Sequence, residues 1–537
     1  MRVFLFFFFF GMLISQAQEG AWFYIRAKDS LFAPTFKEVG ERMVYTGSDA
    51  KLKAILNKNP VKTFKKTYKK AKRKDLKKTF FVIADQESLL NELLTKASHV
   101  FASGEIIPEA DKKIYEPNDY GLTSTIGENI GLQVNLDYLD ALGLPQAWYY
   151  TTGSPDVNVG ISDGAIAIDN KDFKDKTTVF NKSSLSKGHG YTISGAAAAQ
   201  GDNGYGVPGV CFDCGIYSTR YGDFRNFAEV KELSDAGAKV VNCSWVGLKY
   251  YESGQTAINK LFENGTVVVA AAGNKDFTKT HGNTYYYPAS YKHVISVSSG
   301  MYKHETPLDA IDQLSNGSYY ASNVRGYIGR TMGFKNNDTL QEPHTYDISI
   351  PILNTDVDIL APTTGLFMYS DYIMKGKIVN HQFEATSGAA PFVTGTIGLM
   401  FSLYPCLPVD EVESILKITA TNIDHIAANK PYAGLYGAGM LHTGRAVKLV
   451  HDLHSPSEIA YIENQDFSRW DFKITATSKE VVIRNQKFRE DATLELASKN
   501  SIVIGENTAL KPKRDGKIYL KIDPSIKNEC DLVLRQR

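Results

Sequence analysis

Short apolar segments alternate with helical patterns between about residues 135 and 450, and this alternation limits the possible folds more than any other feature. It predicts strands at 157–161, 239–242, 266–271 and 294–297, and helices at 189–200, 226–236, 256–264 and 409–421. Strands separated by helices run parallel, and the helices cover both faces of the sheet. We therefore predict an α/β fold with a three-layer, doubly wound, mostly parallel sheet. Its chemistry should lie at the carboxyl ends of the strands.

Different patterns flank this region. Residues 18–116 contain strand patterns at 21–26, 80–83 and 100–107 and a helical pattern at 86–96, which predict a small α+β unit. Beyond Ser455, alternating segments such as 479–483 and 517–522 predict a separate all-β domain over 455–537, without a convincing internal repeat. Residues 301–353 are polar and irregular, which indicates a surface insertion. The central domain is thus predicted at 117–454.

The amino terminus has the pattern of a secretory signal. Arg2 precedes an apolar run over 3–14, and Ser15 and Ala17 are the small residues expected before a cleavage point after residue 17. The run is shorter than the ~20 residues that span a bilayer, although an uncleaved anchor is the alternative. No other segment is long and apolar enough to span. We therefore expect a protein that is secreted or held at the cell surface.

The net charge gives no reason to expect that the protein binds nucleic acid, because 60 Lys and Arg residues balance 59 Asp and Glu residues and leave a net charge of +1. The dense basic run over 62–78 could bind a polyanion. A solvated helix face is the simpler interpretation, since the whole chain carries no basic excess.

Five cysteines are too few and too scattered to predict a disulfide framework. Cys211 and Cys214 have the spacing of a metal pair, but no second pair or nearby histidine completes a zinc site. A local disulfide or two free thiols is the favoured interpretation.

Small residues surround Ser387 over 384–395, and an apolar helical run follows at 397–403. If Thr386 or Ser387 caps this helix, the hydroxyl of Ser387 lies where free N–H groups and the positive end of the helix dipole can stabilise an oxyanion. A close contact between two helices would need the same small residues. The stretch alone does not decide between these interpretations.

A serine nucleophile needs a base, a group that orients the base, and donors for the oxyanion. Asp163 follows the strand predicted at 157–161, His189 lies where a loop turns into a helix, and Asn274 follows the strand predicted at 266–271. Each could separately be an ordinary turn, cap or surface residue. Together they supply every group that the chemistry requires.

These segments together resemble the subtilisin-like serine proteases (subtilases), whose triad runs Asp, His, Ser along the chain. The motifs that carry the resemblance are ISDG (161–164), HGYTISG (189–195), AAGN (271–274), YPASY (287–291), VDILAP (357–362), ATSGAAP (385–391) and YGAGM (436–440). The resemblance covers about 120–450. Three positions depart from the family pattern: Gly164 replaces Ser or Thr, Thr192 replaces a second His, and Gly388 replaces Met. None removes a triad group.

The resemblance implies that Ser387 attacks a peptide carbonyl, that His189 accepts its proton, and that Asp163 orients the imidazole. Asn274 and the backbone N–H of Ser387 would bind the oxyanion. An edge strand that pairs with the substrate backbone would contain Ser244, Trp245 and Val246. A wall of the specificity pocket would contain Ala271, Ala272 and Gly273.

The resemblance further implies that residues 18–116 are a propeptide that assists folding, inhibits the enzyme and is removed by self-cleavage. The chemistry should need no cofactor, although a structural calcium ion could be held by Asp172 and Asn203. We therefore expect a secreted serine endopeptidase made as a zymogen, acting on proteins or peptides. The alternative is a catalytically silent surface protein that binds proteins or glycans through its groove or its C-terminal domain.

Overall fold

The computed structural model describes residues 20–40, 42–59, 61–67, 78–107, 112–120, 124–126, 132–134, 136–182, 188–274, 284–328, 332–341, 343–345, 351–363, 385–513 and 515–536. The predicted signal peptide at 1–17 lies outside these residues. Contacts within the chain define two compact units, residues 1–113 and 114–537. Within the part of the chain that the structure describes, no helix combines the length and apolarity needed to cross a bilayer.

The described residues of the first unit form an antiparallel six-stranded sheet and two helices. Its strands are β1 (Ala21–Ala27), β2 (Phe36–Val39), β3 (Arg42–Tyr45), β4 (Val61–Lys66), β5 (Thr79–Ala84) and β6 (Phe101–Ile106). They are arranged in the order β2-β3-β4-β5-β1-β6. The helices α1 (Ala50–Lys58) and α2 (Ser88–Lys96) contribute buried leucines to the same apolar core as the sheet.

Strand β4 corrects the helical interpretation of the basic run at 62–78. Val61 and Phe64 are both buried although they are three positions apart, because a β-bulge between Val61 and Thr63 shifts the register against β5. That spacing imitates the period of a helix. Residues 68–77 of the run lie outside the described residues.

The second unit contains the parallel sheet. Its described strands before the C-terminal region are β7 (Ser124–Ile126), β8 (Leu132–Val134), β9 (Asn158–Ser162), β10 (Thr177–Val179), β11 (Gly215–Thr219), β12 (Val240–Cys243), β13 (Val267–Ala271), β14 (Val294–Gly300), β15 (Ile311–Gln313), β16 (Tyr319–Ala321), β17 (Met332–Phe334), β18 (Pro343–Thr345) and β19 (Ile359–Pro362). Seven of them form a parallel sheet in the order β10-β11-β9-β12-β13-β14-β19.

Helices cover both faces of this sheet, and the predicted fold class is confirmed. They are α3 (Asp137–Ala141), α4 (Leu144–Tyr150), α5 (His189–Ala198), α6 (Ala228–Asp235), α7 (Glu252–Glu263), α8 (Thr386–Leu403), α9 (Val409–Thr419) and α10 (Thr443–His454). Strand β13 shows the layering, because Val267 and Val269 join the core that contains α5 and α8, whereas Val268 and Ala270 join the core that contains α6 and α7. Successive strand residues point to opposite faces.

The polar segment at 301–353 is more regular than its sequence predicts. Strands β15 to β18 form a four-stranded antiparallel sheet. Each of these strands has only three residues, too few to show the alternation that identifies a strand in a sequence.

The C-terminal region is all β, as predicted, and it forms a parallel β-helix of three coils. Its strands are β20 (Ile459–Glu463), β21 (Asp466–Phe467), β22 (Asp471–Ala476), β23 (Glu480–Arg484), β24 (Lys487–Glu490), β25 (Thr493–Ser498), β26 (Ile502–Ile504), β27 (Ala509–Pro512) and β28 (Ile518–Ile522). They stack as β20-β23-β26, β21-β24-β27 and β22-β25-β28, and every pair is parallel.

The β-helix shares one apolar core with the helices and parallel sheet of the second unit. Gln465 is buried, and its amide donates to the carbonyl of Ala420 at 2.8 Å.

Cys406 and Cys530 form a disulfide that joins the segment after α8 to the C-terminal segment, and Cys211 and Cys214 form a second disulfide. The bond between Cys211 and Cys214 confirms the local disulfide that was one of the two favoured interpretations. Cys406 and Cys530 are 124 positions apart, and only the fold brings them together.

Candidate active site

Asp163 and His189 make a two-point contact at the carboxyl edge of the parallel sheet. Asp163 follows β9 and is fully buried, and its two carboxylate oxygens lie 2.8 and 2.9 Å from Nδ1 of His189. His189 begins α5, and its side chain is 40% exposed. With Nδ1 directed at the carboxylate, we infer that Nδ1 carries the proton and that Nε2 is left as the basic nitrogen.

The surroundings of this pair set its proton affinity. Partial burial lowers the pKa of His189, but the hydrogen bond and charge of Asp163 outweigh this effect and raise the pKa above its ordinary value. Oδ1 of Asp163 also accepts hydrogen bonds from the backbone N–H of Gly164 at 2.6 Å and from the hydroxyl of Tyr221 at 3.1 Å. The buried carboxylate is therefore held in one orientation.

Ser387 is the second residue of α8 and the only one of its eighteen residues that is not buried. Its Oγ donates to the carbonyl of Ser244 at 3.4 Å, and Oγ of Ser244 donates to the carbonyl of Ser387 at 2.9 Å. Ser244 directly follows β12, which lies between β9 and β13 in the sheet. Ser387 therefore lies beside the end of β12. The two strands that flank β12 precede Asp163 and Asn274. Among the described residues, no hydrogen bond joins Ser387 to His189.

Both sequence interpretations of the small residues in α8 describe part of the structure. A Cβ added to Gly395 would lie 2.6 Å from the carbonyl oxygen of Ala197, so the glycine permits close packing against α5. The expectation that Thr386 or Ser387 caps the helix is wrong, since the cap residue is Ala385 and its side chain makes no capping hydrogen bond.

Asn274 supplies the capping oxygen instead. Its Oδ1 accepts hydrogen bonds from the backbone N–H of Thr386 at 2.8 Å and from the Thr386 hydroxyl at 3.2 Å. The same hydroxyl accepts from the N–H of Gly273 at 3.1 Å. Because these contacts fix the amide oxygen, Nδ2 of Asn274 is left to donate elsewhere, beside the start of α8 where backbone N–H groups have no partners in their own helix.

The residues predicted to contact substrate follow β12 or lie at and just after the end of β13. Ser244, Trp245 and Val246 are not part of a strand, and the Trp245 ring is buried against Phe227 with its Nε1 donating to Ser162 at 3.1 Å. This segment can therefore offer a substrate its backbone but not the indole. Ala271, Ala272 and Gly273 are all buried at the end of β13.

Asp172 and Asn203, the predicted calcium ligands, lie together as a hydrogen-bonded pair. Nδ2 of Asn203 donates to Oδ1 of Asp172 at 2.8 Å, while its Oδ1 accepts from the N–H of Tyr205 at 2.9 Å. Calcium requires oxygen ligands, and here the amide presents a donor, so the pair does not fit the ion in this arrangement. Across the described ranges, no group of three His, Cys, Asp or Glu side chains could hold a metal ion.

A hydroxyl in the first turn of a buried helix, at the same edge of the sheet as an imidazole that a buried carboxylate orients, is typical of hydrolases that use a serine nucleophile. The edge of a doubly wound parallel sheet is where the ligand site of such a fold is expected.

The chain belongs to the subtilase family, whose pattern matches residues 97–439, and it is a serine endopeptidase. Subtilisin DY of Bacillus licheniformis is 27% identical over 307 residues, which cover 54% of this chain and 91% of that protein. Thermitase of Thermoactinomyces vulgaris is 28% identical over 272 residues, covering 48% and 79%. The crystal structure of fervidolysin from Fervidobacterium pennivorans aligns with a TM-score of 0.41 and 17% identity over 80% of this chain and 61% of that one.

Tyr221 is a site residue that sequence reasoning missed. Burial, followed by the charge of Asp163, raises its pKa, so the hydroxyl stays protonated and donates to the carboxylate. Gly164 has no hydroxyl where the family pattern has Ser or Thr, and Tyr221 supplies one from the end of β11. The signal in the sequence was the departure at Gly164, which shows a missing donor but not its replacement.

Proposed function

We propose that Ser387, His189 and Asp163 form the catalytic triad of a secreted endopeptidase that is made as a zymogen. Nε2 of His189 takes the proton of the Ser387 hydroxyl as that oxygen attacks a peptide carbonyl, and then gives it to the leaving amine. Water hydrolyses the acyl-enzyme in the second half of the reaction, with His189 again as the base. Asp163 holds the imidazole in the required tautomer and stabilises its protonated form. Each step uses the chain's own residues.

The contact between the buried Asp163 and Nδ1 of His189 is the observation that supports this proposal most strongly. It leaves Nε2 as the free basic nitrogen, which a general base requires. In this proposal the hydroxyl of Ser387 turns from the carbonyl of Ser244 toward Nε2 before it reacts. Hydrogen bonds of catalytic groups are often long or poorly aligned before substrate binds.

Residues 18–116 act as the propeptide in this proposal. They contain the apolar core of the first compact unit, which is therefore suited to assist folding and then be released. Secretion is supported by the pattern at 1–17 and by relatives whose names include an extracellular serine protease of Serratia marcescens.

A fluorophosphonate probe tests the proposal directly, because it reacts with an activated serine hydroxyl. We expect stoichiometric labelling of the processed protein and none of the Ser387→Ala variant. Self-cleavage predicts that the variant also keeps its full secreted length in mass spectrometry. Ser402→Ala, in the same helix, is the matched control and should label normally. A processed wild-type protein that does not react would instead favour the catalytically silent binding protein.

Replacing Asn274 with alanine should lower kcat by about 10²–10³-fold with little change in KM, since Nδ2 would donate only to the oxyanion of the transition state. That magnitude is the one known for the corresponding donor of subtilisin itself. Steady-state kinetics on a peptide anilide would measure it.

Asn274→Asp separates catalysis from helix capping. It keeps an oxygen for the N–H of Thr386 and removes the amide donor, so it should lose activity at least as severely without the loss of stability expected for Asn274→Ala. Equal activity of Asn274→Ala and the wild type would remove Asn274 from the mechanism.

A further inference from the structure

Two walls border the space beside Ser387 in which the side chain of a substrate residue would lie. Strands β12 and β13 are adjacent and parallel, and Cys243 pairs with Ala270 near their carboxyl ends. The chain continues from β12 through Ser244 to Gly247, and from β13 through Ala272 to Asn274. The gap between these two segments begins next to Ser387, because Ser387 is hydrogen-bonded to Ser244.

The segment around Tyr287 connects the two walls. The backbone of Tyr287 pairs with that of Gly247, with N–H groups donating in both directions, so Tyr287 is fixed to the first wall. Its neighbour Tyr286 reaches the opposite wall. A Cβ added to Gly273 would lie 2.7 Å from Cε2 and 3.2 Å from Cγ of Tyr286, so the ring lies against the bare backbone of Gly273.

Glycine is needed at this contact for two reasons. Gly273 has φ of +108°, which other residues rarely adopt, and any side chain there would overlap the ring of Tyr286. The backbone of Tyr286 is also held, since its carbonyl accepts from the N–H of Ser290 at 2.9 Å. The ring is half-buried, and it reaches Gly273 from a segment whose backbone is paired with Gly247.

We propose that Tyr286 sets the substrate specificity of this protease by filling the pocket between the two walls. This inference rests on the proposed function. The residue whose carbonyl is attacked must then be small, namely Gly, Ala or Ser. An aromatic side chain at this position would have to bury about 150–250 Å² of surface, and the ring of Tyr286 already occupies the space. Such selection by volume within an apolar pocket is worth about 10–200-fold in kcat/KM for small differences in size.

The test uses the processed enzyme and peptide anilides that differ only in the residue before the scissile bond. For the wild type we expect kcat/KM to be about 100-fold higher with Ala than with Phe at that position. Tyr286→Gly should open the gap and lower this ratio at least tenfold, chiefly through faster cleavage after Phe. Tyr286→Phe keeps the ring and should keep the ratio.

Tyr285→Gly is the matched control. Tyr285 is the exposed neighbour, and its hydroxyl bonds to Oγ1 of Thr355 at 3.0 Å, away from Gly273. It should leave the ratio unchanged. Titration with the fluorophosphonate probe corrects each variant for the fraction of active sites.

Two results would overturn the role of Tyr286. One is a wild-type enzyme that cleaves after Phe as readily as after Ala, a result that does not depend on whether any variant folds. The other is an active Tyr286→Gly enzyme with the wild-type ratio. A processed protein that neither reacts with the probe nor cleaves any peptide would instead refute the proposed function.

Discussion

Asp163→Asn should lower kcat by about 10⁴-fold while leaving the fold intact, the size of effect known for this change in a serine-protease triad. The contacts of the carboxylate give the reason. Oδ1 of Asp163 accepts hydrogen bonds from the N–H of Gly164 and the hydroxyl of Tyr221, so the side-chain oxygen of an asparagine would occupy that position. Its NH₂ group would then replace Oδ2, which lies 2.9 Å from Nδ1 of His189.

The retained oxygen also lies 2.8 Å from Nδ1, but it already accepts two other hydrogen bonds, so the amide donor favours the other tautomer of the imidazole. Nδ1 of His189 would accept a hydrogen bond, the proton would move to Nε2, and the base facing Ser387 would be lost. The pH profile should change as well. In the wild type, Asp163 raises the pKa of His189, so kcat/KM rises as the pH increases through that raised value. Without the carboxylate, the midpoint of the remaining activity should move to lower pH.

Stopped assays from pH 5 to 10 would measure both effects, with the exposed Asp156→Asn as control. Circular dichroism would establish that each variant is folded. Activity within tenfold of the wild type in a folded Asp163→Asn enzyme would contradict the proposed triad.

Lys417→Met should destabilise the second unit by about 3–5 kcal/mol, because it leaves a buried carboxylate without its partner. Lys417 is 1% exposed, and its Nζ lies 2.8 Å from Oδ1 of Asp358 and also contacts Glu413. The ammonium group is 4.3 Å from the centre of the Trp470 ring. It thus connects Asp358, beside β19, to a side chain of the β-helix.

The loss of stability should depend on pH. Burial already raises the pKa of Asp358 with Lys417 in place, and removing the ammonium raises it further. In the variant the folded state then holds this proton more tightly than the unfolded chain does, so its stability falls as the pH rises. The difference from the wild type should be largest at alkaline pH and shrink as the pH is lowered through the raised pKa.

Denaturant unfolding followed by tryptophan fluorescence would measure this difference, in a Ser387→Ala background that prevents self-digestion. Lys231→Met is the control, since Lys231 and Asp235 form an exposed pair whose loss should cost under about 1 kcal/mol. A Lys417→Met protein as stable as that control would show that the buried ion pair does not link the two regions energetically.

The β-helix shows why a regular structure can be missed in a sequence. Its coils repeat Asn464, Asn485 and Asn507 at one corner, all with positive φ, and Nδ2 of Asn507 donates to Oδ1 of Asn485 at 3.0 Å. Phe467 and Phe488 repeat with the same period and pack at 5.7 Å between ring centres. Only a few positions per coil must be alike, since the others need only alternate between interior and solvent.

The order of local patterns along the chain determined much by itself. Alternating strands and helices specified the parallel sheet, and residues that follow strands or begin helices marked Asp163, His189, Asn274 and Ser387 as candidates, because these features depend on neighbours in sequence. Contacts between distant residues were decided by the tertiary structure alone. The hydroxyl of Tyr221 on Asp163, the ring of Tyr286 on Gly273 and the Cys406–Cys530 disulfide all depend on where separate segments meet. Packing of the whole core fixes those positions, and no local pattern encodes it.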